Sequence, residues 1–131
     1  MKEVRIGLIG TGVMGKAHAT AFKNVPLVFG NEPARPVLEV VADVDTDAVK
    51  AWAENFGFSR WTTDWREIVQ DPKVDIVDIT TPNHLHAEMA IAAAEANHFV
   101  AGANQPGSQV GADVPGSTDE YDAHGCLLKG C

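Results

Sequence analysis

The chain has 131 residues, of which 45% are hydrophobic and 21% are charged, and its formal net charge is −8. This length suits one domain with its own core, and this composition excludes a chain that is disordered throughout. The negative charge argues against nucleic acid and anionic membrane surfaces as partners, and no apolar run approaches the roughly 20 residues needed to span a bilayer.

The order of apolar and polar segments is typical of an α/β protein. Strands are predicted where β-branched and other apolar residues form short runs, and helices where apolar residues recur between glycine and proline breakers. In chain order the predicted elements are a strand at 4–9, a helix at 13–24, a loop at 26–36, a strand at 37–42, a helix from 45 or 46 to 56, a short strand at 59–62, a short helix from 63 or 64 to 69, a strand at 74–79, a helix from 83 to 96 and the start of a strand at 98–100. Strands that alternate with helices predict a parallel, doubly wound sheet.

Three of the predicted helices begin at side chains that can cap them. Asp45 or Thr46, Thr63 or Asp64, and Asn83 each carry an oxygen that can accept a hydrogen bond from the free N–H groups of a first turn. We therefore expect these residues at the helix starts.

The segment 10–15 is Gly-Thr-Gly-Val-Met-Gly, the pattern G-x-G-x-x-G. Gly10 allows a tight turn, Gly12 lets the backbone approach a pyrophosphate, and Gly15 lets the helix pack closely on the strand. The helix start then presents free N–H groups and a partial positive charge to the phosphates. The strand before this motif and the helix after it favour dinucleotide binding over the alternative, a plain strand-to-helix turn.

Asp43 ends the second predicted strand, where an acid in this type of sheet accepts hydrogen bonds from both hydroxyls of the adenosine ribose. Asp45 adds a second negative charge, and the next base downstream is Lys50. A ribose 2′-phosphate would therefore be repelled, which favours NAD over NADP. The alternative for Asp43 is a solvated acid at a strand end or a helix cap.

The segment 80–86, Thr-Thr-Pro-Asn-His-Leu-His, follows the fourth strand and should line the same crevice at the carboxyl ends of the strands. Its threonine and asparagine side chains can bind a ribose or a carboxamide, and Pro82 stiffens the turn. His84 and His86 cannot share one helical face, so they do not form a two-histidine metal site, and at most one of them faces the crevice. The alternative for each histidine is a surface or cap residue.

Three segments in this order carry a family resemblance: RIGLIGTGVMGKAH, VVADVD and VDIVDITTPNHLHAEMAIAAAEAN. They resemble the N-terminal half of the glucose–fructose oxidoreductase / inositol dehydrogenase / MocA family, over about residues 3–100. The resemblance implies a Rossmann domain that binds NAD or NADP in an oxidoreductase that transfers hydride on sugars, cyclitols and related polyols. The cofactor-binding residues that it implies are Gly10, Thr11, Gly12, Val13, Met14 and Gly15 at the pyrophosphate, Asp43 at the adenosine ribose, Thr81, Pro82 and Asn83 on the nicotinamide side, and His86 after this loop.

The resemblance stops after Val100. The family continues with a Glu-Lys-Pro motif, whose lysine reaches the substrate, and with a C-terminal α+β domain, whereas this chain has Asn104 and Gln105 at the corresponding place. An amide lacks the charge that stabilises a developing alkoxide, so no catalytic residue is expected in this chain. Residues 1–100 are expected to form the Rossmann domain, truncated before the second domain, and 101–131 a poorly ordered tail rich in Gly, Ser and Asp. Another reading frame of the same gene is predicted to restore the lysine motif.

Three interpretations of function stay open: the cofactor-binding portion of an oxidoreductase, a stand-alone dinucleotide-binding module without catalysis, and an inactive truncated or misframed fragment. A polyol substrate is expected only for a full-length form. His124, Cys126 and Cys131 lack the spacing of a metal site, so no metal is expected, and free thiols favour the cytoplasm. An uncovered sheet edge favours association into a homo-oligomer.

Overall fold

The structure, a computed structural model, describes residues 2–30 and 34–102. Its elements in chain order are β1 (Lys2–Ile9), α1 (Val13–Phe29), β2 (Ala34–Ala42), α2 (Thr46–Phe56), β3 (Arg60–Thr62), α3 (Trp65–Val69), β4 (Ile76–Ile79), a 3₁₀ turn (Asn83–Leu85), α4 (His86–Glu95) and β5 (Phe99–Gly102). The sequence-based expectations for Asn104, Gln105, His124, Cys126 and Cys131 lie outside the described residues.

The strands form one parallel sheet in the order β3-β2-β1-β4-β5. The chain moves outward from β1 through β2 to β3, then crosses back to β4 on the other side of β1 and continues to β5. This order confirms the predicted doubly wound sheet. Because the direction of winding reverses between β1 and β4, a crevice opens there at the carboxyl ends of the strands, which is where ligands bind in such sheets.

Apolar clusters cover both faces of the sheet, because successive side chains of a strand point to opposite faces. One cluster lies under α1 and α2, on what we call the α1–α2 face, and includes Ile6, Leu8, Ala19, Leu38, Val41, Val49 and Trp52. The other lies under α3 and α4, on the α3–α4 face, and includes Ile9, Val40, Ile68, Val77, Ile79, Met89 and Ala93. The two clusters hold the strand ends in place for the crevice.

The expected loop over 26–36 is wrong for most of its length, because α1 continues through Pro26 and β2 begins at Ala34. Pro26 lies in the last turn of α1, where it forgoes the hydrogen bond to the carbonyl four residues earlier and only three helix residues follow it. Pro36 lies in the part of β2 that pairs only with β1, since β3 joins from Val40 onward. A strand tolerates a missing N–H group at such an edge.

The starts of α2 and α3 confirm two predicted caps. The side chain of Asp45 accepts a hydrogen bond from the backbone N–H of Ala48 at 2.9 Å. The side chain of Asp64 accepts one from the backbone N–H of Arg66 at 3.0 Å. Each aspartate therefore satisfies a free donor of the first turn.

The start of the last helix differs from the prediction. Pro82 has extended backbone angles, with φ −54° and ψ 144°, and its carbonyl accepts a hydrogen bond from the N–H of Leu85 at 3.0 Å. Asn83 thus lies inside a 3₁₀ turn, and α4 begins only at His86. The prediction that Asn83 is the N-cap is wrong because the turn already starts at the proline before it.

The last strand, β5, runs to Gly102 and pairs with β4 along its length. It therefore includes two residues that lie beyond the expected domain end at residue 100, and the assignment of the following segment as a separate unit stays a prediction. Among the helices in the described ranges, none is long and apolar enough to cross a membrane.

Candidate functional site

Close packing requires glycine at the first and last positions of the 10–15 turn. Gly10 has a φ of +104°, and a Cβ on it would lie 2.9 Å from the backbone of Thr80. A Cβ on Gly15 would lie 2.3 Å from the carbonyl oxygen of Gly10. No side chain can occupy either position without a shift of backbone atoms, so these glycines allow β1, β4 and α1 to approach one another closely.

Gly12 differs from its neighbours in the turn. Its φ is −73°, which any residue adopts, and a Cβ built on it would meet no atom of residues 2–30 and 34–102 within 4 Å. The packing of the described residues therefore gives no reason for glycine at this position. The open space above Gly12 fits a ligand whose phosphates approach the backbone, where a Cβ would stand in the way.

In the first turn of α1, no capping or acidic side chain offsets the partial positive charge of the helix start. Gly12 is its N-cap and provides no side-chain hydrogen bond, and no acidic residue lies in the first turn. The partial positive charge and the N–H groups of this turn are thus available to an anion. A pyrophosphate group fits both this charge and the open space above Gly12.

Asp43 lies beside the glycine turn and binds it. Its Oδ2 accepts hydrogen bonds from the N–H of Thr11 at 2.8 Å and from the Thr11 hydroxyl at 2.6 Å. Its Oδ1 accepts one from the N–H of Val44 at 2.7 Å. Burial alone would raise the pKa of Asp43, but these hydrogen bonds, those of Thr11 foremost, hold it below its ordinary value. The carboxylate is therefore ionised at neutral pH.

The end of β4 closes the crevice from the other side. The hydroxyl of Thr80 lies 2.9 Å from the carbonyl oxygen of Gly10, to which it donates a hydrogen bond. The ring Nε2–H of His86 donates to the carbonyl oxygen of Thr81 at 2.6 Å. His86 is half-buried and His84 is exposed. His86 therefore fixes the shape of the loop after β4, and its contact with a cofactor stays a prediction.

A cavity of about 130 Å³ joins the ends of β1, β2 and β4. Clefts that enclose whole drug-sized ligands measure about 300–1,000 Å³, so this cavity suits one ring of a larger ligand. Three residues singled out from the sequence line it, namely Gly10, Asp43 and Thr81. Pro82 and Asn83 are not among the lining residues. The cavity therefore unites the glycine turn, the acid after β2 and the first part of the loop after β4.

Sequence reasoning missed the apolar wall of this cavity, which Val44, Trp65, Leu85 and Met89 form. Apolar residues at helix starts and on helix faces are indistinguishable from ordinary core residues in a sequence. Only the sheet order brings α3 and α4 beside Asp43, so no local signal pointed to them. The hydrogen bonds between Thr11 and Asp43 were also missed, although the hydroxyl residue within the glycine motif was a usable signal.

The sequence also matches a known protein family and several of its characterised members. The model of a family described as an oxidoreductase family with an NAD-binding Rossmann fold matches residues 4–101. Levoglucosan dehydrogenase of Pseudarthrobacter phenanthrenivorans is 49% identical over 100 residues, which are 76% of this chain and 26% of that protein. Myo-inositol 2-dehydrogenase of Thermotoga maritima is 31% identical over 97 residues, which are 74% of this chain and 27% of that protein.

Solved structures agree with this match. A levoglucosan dehydrogenase in complex with NADH superposes with a TM-score of 0.75 at 48% identity, covering 77% of this chain and 27% of that one. This chain therefore spans about a quarter of the length of the relatives that it matches. These findings confirm the resemblance noted in the sequence.

Proposed function

The chain belongs to the oxidoreductase family with the NAD-binding Rossmann fold, and on that premise we propose that it holds NAD in the crevice between β1, β2 and β4. The observation that carries this proposal is Gly12. It is the one glycine of its motif that packing within the described part of the chain does not require, and it lies at the uncompensated start of α1. A bound pyrophosphate explains both features.

Each part of the crevice has a task in binding the cofactor. The turn 10–15 and the start of α1 bind the pyrophosphate, and the ionised carboxylate of Asp43 accepts hydrogen bonds from the adenosine ribose. The negative charges of Asp43 and Asp45 repel a 2′-phosphate, which favours NAD over NADP. When bound, NAD supplies the hydride acceptor. The chain's own residues bind and orient it, and Thr81, Pro82, Asn83 and His86 are proposed to shape the nicotinamide side.

The substrate of the whole protein is proposed from its relatives, which are levoglucosan and inositol dehydrogenases. We infer that a full-length form transfers hydride between NAD and a sugar, cyclitol or related polyol. The residues that we assign here bind cofactor only, so the 131-residue chain alone is expected to bind NAD without oxidising a polyol. Self-association along the edge of β5 is a further expectation, which sedimentation velocity measures.

Calorimetric titration of the 131-residue chain with NAD, NADP and ADP-ribose tests the proposal. NAD and ADP-ribose should bind, and NADP should bind more weakly than NAD. A folded chain that binds none of the three would contradict the proposal. A panel of sugars and inositols, followed with NAD at the nicotinamide absorbance, tests the expected lack of turnover in parallel.

A further inference from the structure

A buried histidine–carboxylate pair lies outside the cofactor contacts described above. Asp78 of β4 is fully buried, and its two carboxylate oxygens lie 2.9 and 3.1 Å from Nδ1 of His18 on α1. The His18 side chain is 27% exposed. Neither residue lines the cavity beside Asp43. The pair therefore joins α1 to the sheet without a contact to the proposed ligand.

This pair attaches α1 to the sheet at a cost in stability. Burial raises the pKa of Asp78, and the hydrogen bond from His18 lowers it by less, so the pKa stays above its ordinary value. Well-packed apolar residues in place of a buried ion pair are often neutral or stabilising. The neighbours of Asp78 on the paired strands are Leu8 and Ala101, which offer no further polar contact from their side chains. Stability alone thus gives no reason for a carboxylate here.

The position of the pair explains it better. Asp78 and Thr80 are two residues apart and point to the same face of the sheet, while His18 and Gly15 are three residues apart and lie on the same face of α1. Gly15 packs against Thr80, since a Cβ on it would lie 3.2 Å from the Thr80 hydroxyl. α1 therefore contacts this part of the sheet at two points about one helical turn apart, and one of them lies at the glycine turn.

Of these two contacts, only the hydrogen bond between His18 and Asp78 is directional. In residues 13–29, no other side chain makes a hydrogen bond or ion pair with the rest of the described chain. Apolar contacts such as those of Ala19 fix the distance of a helix from a sheet more strongly than its position along a strand. A hydrogen bond of 2.9 Å fixes both the distance of the helix from the sheet and its position along the strand.

We propose that His18 and Asp78 are positioning residues that fix the location of α1 along β4, and thereby the location of its first turn for the NAD pyrophosphate. This inference rests on the proposed function. Displacement of a binding group by about 1 Å can forfeit most of its contribution, because hydrogen bonds to phosphate weaken steeply with distance and angle. The pair exchanges some stability for a defined position of the anion-binding turn.

The test separates binding from stability in the full 131-residue chain. Asp78→Leu removes the acceptor, Asp78→Asn keeps an acceptor of the same shape, and the double variant H18L/D78L removes both members of the pair. We expect NAD to bind about tenfold more weakly or worse to D78L and to the double variant, and nearly normally to D78N. Circular dichroism establishes that each variant is folded, and calorimetry gives its affinity.

Glu39 provides the matched control. It is a buried carboxylate of the same sheet, 2.7 Å from Arg5, and it lies away from the glycine turn. Glu39→Gln should lower the melting temperature and leave the NAD affinity unchanged. Unchanged affinity in folded D78L or in the folded double variant overturns the proposal, as does an equal loss of affinity in E39Q.

A readout without NAD distinguishes this inference from the proposed function. The ¹⁵N shifts of His18 should show the proton on Nδ1 in the original chain and in D78N but not in D78L. The backbone amide shifts of Val13 and Met14 should move in D78L and stay in D78N. If these shifts behave as expected while NAD binds to no variant, the proposed function is wrong and the positioning role stands. Amide shifts that do not move in D78L contradict the positioning role.

Discussion

The helices α1 and α2 both follow a strand of the same sheet, but they begin in opposite ways. The first turn of α2 is completed by the chain itself, because Asp45 caps it and Asp47 lies within it. The first turn of α1 begins at Gly12, with no side-chain cap and no acid. Caps and acids stabilise a helix start, so their absence from α1 costs stability. The start of α2 therefore serves the fold, whereas the start of α1 is left for a ligand.

Asp43 connects the two helix starts. Its carboxylate binds Thr11 in the turn before α1, and its backbone stands two residues before the cap of α2. The charge at the end of β2 is therefore held beside the anion-binding turn without entering it. This placement leaves the α1 start positive and the ribose end of the crevice negative, in keeping with NAD.

The largest expected effect comes from Gly15→Ala. The added methyl group would lie 2.3 Å from the carbonyl oxygen of Gly10, so α1 must move away from β1 and β4. We expect a loss of about 1–3 kcal/mol in the free energy of unfolding and the loss of measurable NAD binding. Urea denaturation and calorimetry measure the two effects. A variant with unchanged stability would show that the turn is looser than described.

Gly12→Ala is the matched variant, since it adds the same methyl group three residues earlier. Within the described ranges no atom lies within 4 Å of the new Cβ, and the backbone angles suit alanine, so the free energy of unfolding should not fall. The methyl group would occupy the space proposed for the pyrophosphate, and NAD affinity should fall by roughly 10- to 100-fold. Equal NAD affinity in this variant and the original chain would remove the main support for the proposed function.

Local signals were sufficient to predict most of the fold. The caps Asp45 and Asp64, the apolar strand runs and the glycine motif are each contained within a few residues, and the structure confirms the elements that they predict. Predictions based on proline were less successful, because the penalty of Pro26 depends on its place within the helix and that of Pro36 on which strand pairs beside it. Local competition between Pro82 and Asn83 for the start of a turn was likewise not visible in the sequence.

The cavity residues Gly10, Asp43 and Thr81 were predictable because each lies just after a predicted strand, but contacts between distant residues were not. His18 and Asp78 are 60 residues apart, as the hydrogen bond between them records, and no periodic pattern relates residues at that separation. The usable signal was an acid within an apolar strand, because a buried carboxylate needs a partner. The apolar cavity wall of Trp65 and Met89 had no such signal and depends on the sheet order alone.

Asp43→Ala tests the negative end of the crevice. It removes the acceptor proposed for the ribose and the partner of Thr11, so NAD should bind roughly 10- to 100-fold more weakly. The preference for NAD over NADP should also shrink, because a charge that repels the 2′-phosphate is gone. Titration with both cofactors measures this preference. Tighter binding of NADP than of NAD by the original chain would contradict the assignment of Asp43.

Asp45→Ala tests the other side of the comparison. It removes the hydrogen bond to Ala48 at the start of α2, and the loss of such a cap costs about 1 kcal/mol. The NAD affinity should change little, since Asp45 is proposed to act on the cofactor only by repelling a 2′-phosphate, which NAD lacks. Thermal denaturation and calorimetry on the same sample separate the two effects. A loss of affinity as large as that of Asp43→Ala would mean that the two helix starts are not functionally distinct.

The smallest expected effect is the response of the α1 turn to acid. The hydrogen bonds from Thr11 help to hold the pKa of Asp43 below its ordinary value of 3.8, so the folded chain binds fewer protons at this group than the unfolded chain. The contribution of Asp43 to stability is therefore fully present above pH 3.8 and is lost as the pH falls through the lower pKa of the folded state. Thr11→Val removes the hydroxyl donor and keeps the side-chain shape, so the pKa of Asp43 should rise and this loss should shrink. Carboxyl ¹³C titration of both chains measures the pKa directly, and an Asp43 that titrates alike in both would show that the Thr11 hydroxyl does not hold it.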